Sequence, residues 1–165
     1  MTSEGTAELT PIGHALAAWV TTFDHLVKLV GDGGLDDLDA PGLVGFMQEF
    51  EQARNRLSLI DHQMIAAAER LDLPTVLCQG SMRRVLTSVL GVSKREAACR
   101  VRAAEAVGPR TSMLGEPLEP VRPVLAAAQR AGVVSAEKVA MIVGALDKVD
   151  RRGFAPATSP PARRC

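Results

Sequence analysis

Apolar residues recur at intervals of three and four along most of this chain, the spacing of one face of an α-helix. Ile12, Leu16, Trp19, Val20, Phe23, Val27 and Val30 trace the first such face, and Thr10-Pro11 supplies a cap and a proline suited to the first helical position. The glycines and acids of GDGGLDDLDA end this helix and start the next. Over residues 41–71, Phe46, Phe50, Ala53, Leu57, Ile60, Met64, Ala67 and Leu71 alternate spacings of four and three, which predicts one long helix carrying a heptad seam. The plain reading of that seam is intramolecular core, a spine for the other helices. The sharper reading is a coiled-coil dimer seam.

Residues 81–107, SMRRVLTSVLGVSKREAACRVRAAEAV, read as helix, tight turn, helix. Ser81 caps a helix whose apolar face is Met82, Val85, Leu86, Val89 and Leu90, and Gly91 stands where a left-handed residue closes it. Ser93 and Glu96 form a capping box for the second helix. Two helices joined this way resemble the helix-turn-helix that places its second member in the major groove of DNA. After Gly108-Pro109 comes a loop, PRTSMLGEPLEP. A fifth helix follows over about 121–131 and a sixth over 135–149. GVVSAEKVAMIV repeats the order of GVSKREAACRV, with glycine turn, serine cap and apolar face, but without the arginines.

The expected fold is therefore all-α, about six helices packed around the long helix at 41–71, with the helix-turn-helix-like pair at 81–107. A flexible leader over 1–9, a single helical domain over 10–150 and a disordered, basic, proline-rich tail over 151–165 complete the organisation. An aromatic share of 3% argues against a module that stacks single-stranded bases on rings. Cys78, Cys99 and Cys165 form neither a CxxC pair nor a disulfide framework, which suits a reducing cytoplasm, and Cys78 and Cys99 read as small buried apolar residues. No uninterrupted apolar run is long enough for a membrane span, so no membrane partner is expected.

The neutral total charge hides a division. Residues 1–80 carry twelve acids and four bases, whereas residues 81–110 carry two acids and seven bases. The candidate DNA contacts are Arg83, Arg84, Lys94, Arg95 and Arg102. On the second helix of the pair, Ala97, Val101 and Ala104 share the core face, while Arg95, Cys99, Arg102 and Ala106 share another. Glu96 and Arg100, four apart, are placed to pair. Arginines two turns apart suit a helix lying in a groove; the plain alternative is a solvated face.

Catalytic and metal chemistry finds no matching pattern. His14 and His25 lie too far apart along one helix to share a metal, and His62 beside Asp61 reads as a solvated or core-edge pair. No catalytic residue, metal site or cofactor is expected.

Three blocks taken together, FEQARNRLSLIDHQMIAAAERLDLP, SMRRVLTSVLGVSKREAACRVRAAEAVGPR and GEPLEPVRPVLAAAQRAGVVSAEKVAMIV, resemble the actinobacterial 13E12 repeat family. That resemblance covers roughly residues 36–149. It implies a helical N-terminal domain of unknown function that typically precedes an HNH endonuclease module. The chain stops at Cys165 before such a module, so the expectation is a truncated copy or separately encoded half, not an enzyme. The expected function is a non-catalytic, DNA-targeting helical module with double-stranded DNA as its partner, and a weak homodimer through the long helix. The alternatives are a helical protein-interaction or dimerisation scaffold, or a truncated gene product without a retained role.

Overall fold

The computed structural model describes residues 10–151, the side chain of Arg151 excepted; the expected leader over 1–9 and the tail from residue 152 onward lie outside the described residues. The architecture is all-α, as the periodicity predicts, with one very short antiparallel ladder. The chain divides into two compact units, Met1–Gln48 and Glu49–Cys165, and the boundary falls inside a helix.

In the first unit, α1 spans Pro11–Gly31. Thr10 caps it as expected, its hydroxyl accepting the Gly13 N–H at 3.2 Å. Trp19 and Phe23 stack on one another one turn apart, with ring centroids 5.6 Å apart. The chain then turns through Gly33 and Gly34, and α2 (Ala40–Arg56) opens where Asp39 Oδ1 accepts the Gly42 N–H at 2.8 Å.

The second unit holds the end of α2, then α3 (Ser58–Arg70), α4 (Leu73–Val76), α5 (Met82–Leu90) and α6 (Lys94–Val107). A ribbon of β1 (Arg110–Thr111) and β2 (Pro117–Leu118) follows, then α7 (Pro123–Arg130) and α8 (Ala136–Arg151). The ribbon lies inside the stretch read as a plain loop.

The single long helix over 41–71 is a misreading: it is interrupted at Leu57. There the Leu57 N–H bonds the Arg54 carbonyl and the Ile60 N–H bonds the Leu57 carbonyl, both the tighter three-residue step. The Ser58 hydroxyl donates to the Asn55 carbonyl at 2.9 Å, taking an acceptor that the regular helical ladder would use.

A second correction concerns which face of this segment is core. In α3 the buried residues are Ser58, His62 and Ile65, whereas the seam residues Leu57, Ile60, Met64 and Leu71 are exposed. At about 100° per residue the two sets lie on opposite sides of the helix. The packing centre is α6 instead. One side of it, with Val101 and Ala104, packs on Ile65, Met82 and Val85 from α3 and α5. The other, with Ala103, Ala106 and Val107, packs on Ala126, Val139 and Val143 from α7 and α8. Alanine is small enough to let helices approach from both sides, and four of the six buried residues of α6 are alanines.

The internal repeat has a structural counterpart. Gly91 and Gly132 both take positive φ, +67° and +75°, after a short helix. Ser93 then accepts the Glu96 N–H at 3.1 Å, and Ser135 accepts the Lys138 N–H at 3.2 Å. Ala97 and Val139, one turn into the following helices, are both fully buried. The capping box at Ser93 is half formed, because the Glu96 carboxylate turns to Arg100.

Candidate nucleic-acid interface

The five candidate cations fall into two groups. Arg83 and Arg84 occupy the first turn of α5 and Lys94 the first position of α6. All three are exposed, and they border one shallow depression with Ser81, Thr87 and Ala98. No carboxylate lines that surface, and among the described residues none of the three is in an ion pair. Two helix N-termini open onto it: α5 is capped by Ser81, whose hydroxyl accepts the Arg84 N–H at 3.4 Å, and α6 is capped by Ser93. Each leaves N–H groups and a positive dipole end at the surface.

Arg95 and Arg102 belong to a different place. They line a cleft of about 610 Å³ between α3, α6 and α8, where Asp61, Glu96 and Glu137 are also in the wall. The face expected to continue outward through Cys99 and Ala106 does not: Cys99 is half-buried and Ala106 is buried. Arg100 spans the edge of this cleft, bonded to Asp61 at 3.4 Å and to Glu96, so the expected pair with Glu96 forms. Although α6 is packed on both sides, Arg95, Arg102 and Glu105 remain exposed along it.

Ser58 and His62, which line this cleft, belong to a buried polar chain that the sequence reading missed. His62 Nε2 lies 2.9 Å from Gln129 Oε1, Gln129 Nε2 donates to Ser58 Oγ at 2.8 Å, and Ser58 Oγ donates to the Asn55 carbonyl. The direction of the chain fixes the tautomer: the Gln129 amide nitrogen already faces Ser58, so its oxygen accepts from a protonated His62 Nε2. His62 Nδ1 is then a lone-pair acceptor, buried and without a partner. Burial pushes the imidazole below its ordinary 6.5, opposed by the Gln129 bond and by the Asp61 charge.

His62 was expected at a solvated or core-edge position; it is core, because Gln129 arrives from α7 to satisfy it. Asp61 turns to Arg100, so Ser58, Asp61 and His62 do not form a relay despite their proximity. These partners stand 67 and 71 residues apart in the chain, and a lone glutamine in an apolar helix was the only available signal.

Cys78 also departs from expectation: it is exposed, with φ of +53°, at the turn after α4. Among the described residues no three His, Cys, Asp or Glu side chains are placed to hold a metal ion. No described helix is long and apolar enough to cross a membrane.

An uncharacterized protein of Mycobacterium tuberculosis is 34% identical over 127 residues, 74% of this chain and 28% of its own length. Another from the same species is 31% identical over 157 residues, 88% of this chain and 65% of its own length. A third, from Mycobacterium bovis, is 32% identical over 130 residues, 75% of this chain and 27% of its own length. The chain thus spans less than a third of the first and third of these relatives and just under two thirds of the second. No solved structure matches it. The profile of the family described as "Domain of unknown function (DUF222)" matches residues 45–161, most of the chain and nearly all of its second unit, and the chain belongs to that family.

Proposed function

We propose that this chain is a non-catalytic, double-stranded-DNA-binding helical module of an HNH-endonuclease-like protein, working in the cytoplasm. The observation that carries this reading is the surface formed by Arg83, Arg84 and Lys94, which three cations border and no carboxylate lines. Helix N-termini on the same surface add donors for phosphate oxygens. In helix-turn-helix docking the second helix enters by its N-terminal residues, and here Lys94 and Ala98 of α6 share the surface with α5. The resemblance to the 13E12 repeat family supplies the nuclease context. An exposed thiol at Cys78 suits a reducing compartment.

The geometry ranks the cations. Arg83, Arg84 and Lys94 meet DNA phosphates first, because Arg95 and Arg102 share their cleft with three carboxylates. With about three phosphate contacts the salt slope is about −2.7, and affinity at physiological salt is roughly micromolar or weaker. The test is fluorescence anisotropy on a labelled duplex across a salt series, with circular dichroism as the folding control. The double variant Arg83→Ala with Arg84→Ala is expected to flatten the slope by about two, and Arg95→Ala with Arg102→Ala to leave it nearly unchanged. A parallel protein with Arg163→Ala and Arg164→Ala separates the folded surface from the C-terminal arginines. The reading fails if the parent does not bind at low salt, or if removing Arg83 and Arg84 changes nothing.

A further inference from the structure

We infer that the cleft between α3, α6 and α8 is a binding site for a small molecule bearing two anionic groups, carboxylate or phosphate, and one amino group. The cleft holds about 610 Å³, inside the range of about 300–1,000 Å³ usual for small-molecule sites. It lies wholly within the second unit, and the inference does not depend on DNA binding.

The charges in the wall are unevenly served. Arg100 bonds Asp61 at 3.4 Å and also bonds Glu96, so these three satisfy one another. Arg95, Arg102 and Glu137 line the same cleft, and among the described residues none of them is in an ion pair. Arg95 and Arg102 stand about two turns apart on α6, a spacing that lets the two guanidinium groups hold separate anionic ends of one molecule. Arg102 reaches across to α8, with its Nη1 4.0 Å from where a Cβ on Gly144 would stand. Glu137, in the first turn of α8, is the acceptor that suits an amino group. A ligand with two anionic groups and one ammonium meets each of these three charges with its opposite.

A buried acceptor completes the set. His62 lines the cleft while only 3% exposed, and its Nδ1 is without a partner. With the Nε2–H given to Gln129, that nitrogen accepts a bond and cannot donate one. A buried acceptor without a bond is costly, and an N–H of the ligand relieves it. His62 also borders a second depression, where Glu69 and Glu105 stand against Arg70 and Arg110. Acids and bases are equal in number there, so an anion finds no excess of positive charge on that side.

Isothermal titration calorimetry of the full chain with L-aspartate and with O-phospho-L-serine tests this, the two probes separating carboxylate from phosphate as the second anion. Succinate, which lacks the amino group, is the control. At least one amino compound is expected to bind with a dissociation constant on the order of 0.1–1 mM, as suits about ten ligand atoms in an open cleft. Succinate should bind about tenfold more weakly, and Glu137→Gln should narrow that difference. Arg95→Ala and Arg102→Ala, at exposed positions where alanine favours the helix, should each weaken binding about tenfold or more. Arg70→Ala, in the second depression, should bind like the parent. The nitrogen NMR resonance of His62 Nδ1 should move on saturation with the amino compound that binds. The inference is overturned if neither amino compound binds, if succinate binds as well as they do, or if both arginine variants bind like the parent. Circular dichroism checks that the variants fold; should one fail to, the His62 resonance, read on the parent, decides, and a resonance unmoved at saturation overturns the inference.

Discussion

Gln129 of α7 reaches His62 of α3 across 2.9 Å, and its amide nitrogen holds Ser58 one turn earlier. One fully buried side chain thus fastens the C-terminal helical pair to the α3 side of the unit. Next to it, Gln52 Nε2 and Asn55 Nδ2 donate to the carbonyls of Ala131 and Gly132, each at 2.9 Å, closing the open end of α7. This polar clamp supplements an apolar core made largely of alanine and valine.

Replacing Gln129 by Met keeps the volume and removes both partners at once. The His62 Nε2–H would then be buried without a partner, while the Ser58 hydroxyl loses the bond it accepts but still donates to the Asn55 carbonyl, a loss of about 1–3 kcal/mol. Urea unfolding should show the midpoint fall with little change in slope. A loss below about 0.5 kcal/mol would mean that water replaces the amide.

The His62 environment sets an acid limit on stability. Its pKa is lowered in the folded chain, chiefly by burial, so below pH 6.5 the unfolded chain binds a proton that the folded chain does not. Stability is full above that pH and falls as pH drops through it, levelling only below the folded value. Unfolding midpoints measured between pH 8 and pH 4.5 should decline more steeply for the parent than for His62→Asn, which is less stable at neutral pH but lacks this proton uptake.

Gly91 and Gly132 occupy equivalent turns yet should respond differently to alanine. At Gly91 an added Cβ meets nothing within 4 Å, so only the left-handed backbone is penalised, by about 1 kcal/mol. At Gly132 the Cβ would lie 2.6 Å from the Gln52 backbone oxygen as well, and backbone cannot swing aside. Gly132→Ala should cost roughly 3 kcal/mol or more. Thermal unfolding of the two variants side by side checks the order.

The helix starts and stops were legible because they are local. Thr10 before Pro11, Ser81, Ser93 and Ser135 each bond an N–H three residues on, and Gly91 and Gly132 each close a helix in a conformation glycine alone adopts without strain. Such bonds close within one turn, so the order of residues specifies them. For the same reason the pair of Glu96 and Arg100 was readable, while that of Arg100 and Asp61, 39 residues apart, was not.

What the sequence left undecided was which face of each helix is covered. Residues 57–71 carry apolar side chains on one side and Ser58, His62 and Ile65 on the other, and helical spacing describes both sets equally well. The other seam points outward, because only the face with Ser58, His62 and Ile65 meets Gln129 and, on α6, Val101 and Ala104. The basic residues divide by the same logic. Arg83, Arg84 and Lys94 come together because α5 turns back at Gly91, and Arg95 and Arg102 are set among carboxylates because α3 and α8 flank α6. Periodicity fixes which residues share a helix face; only packing, which matches surfaces far apart in the chain, fixes what that face meets.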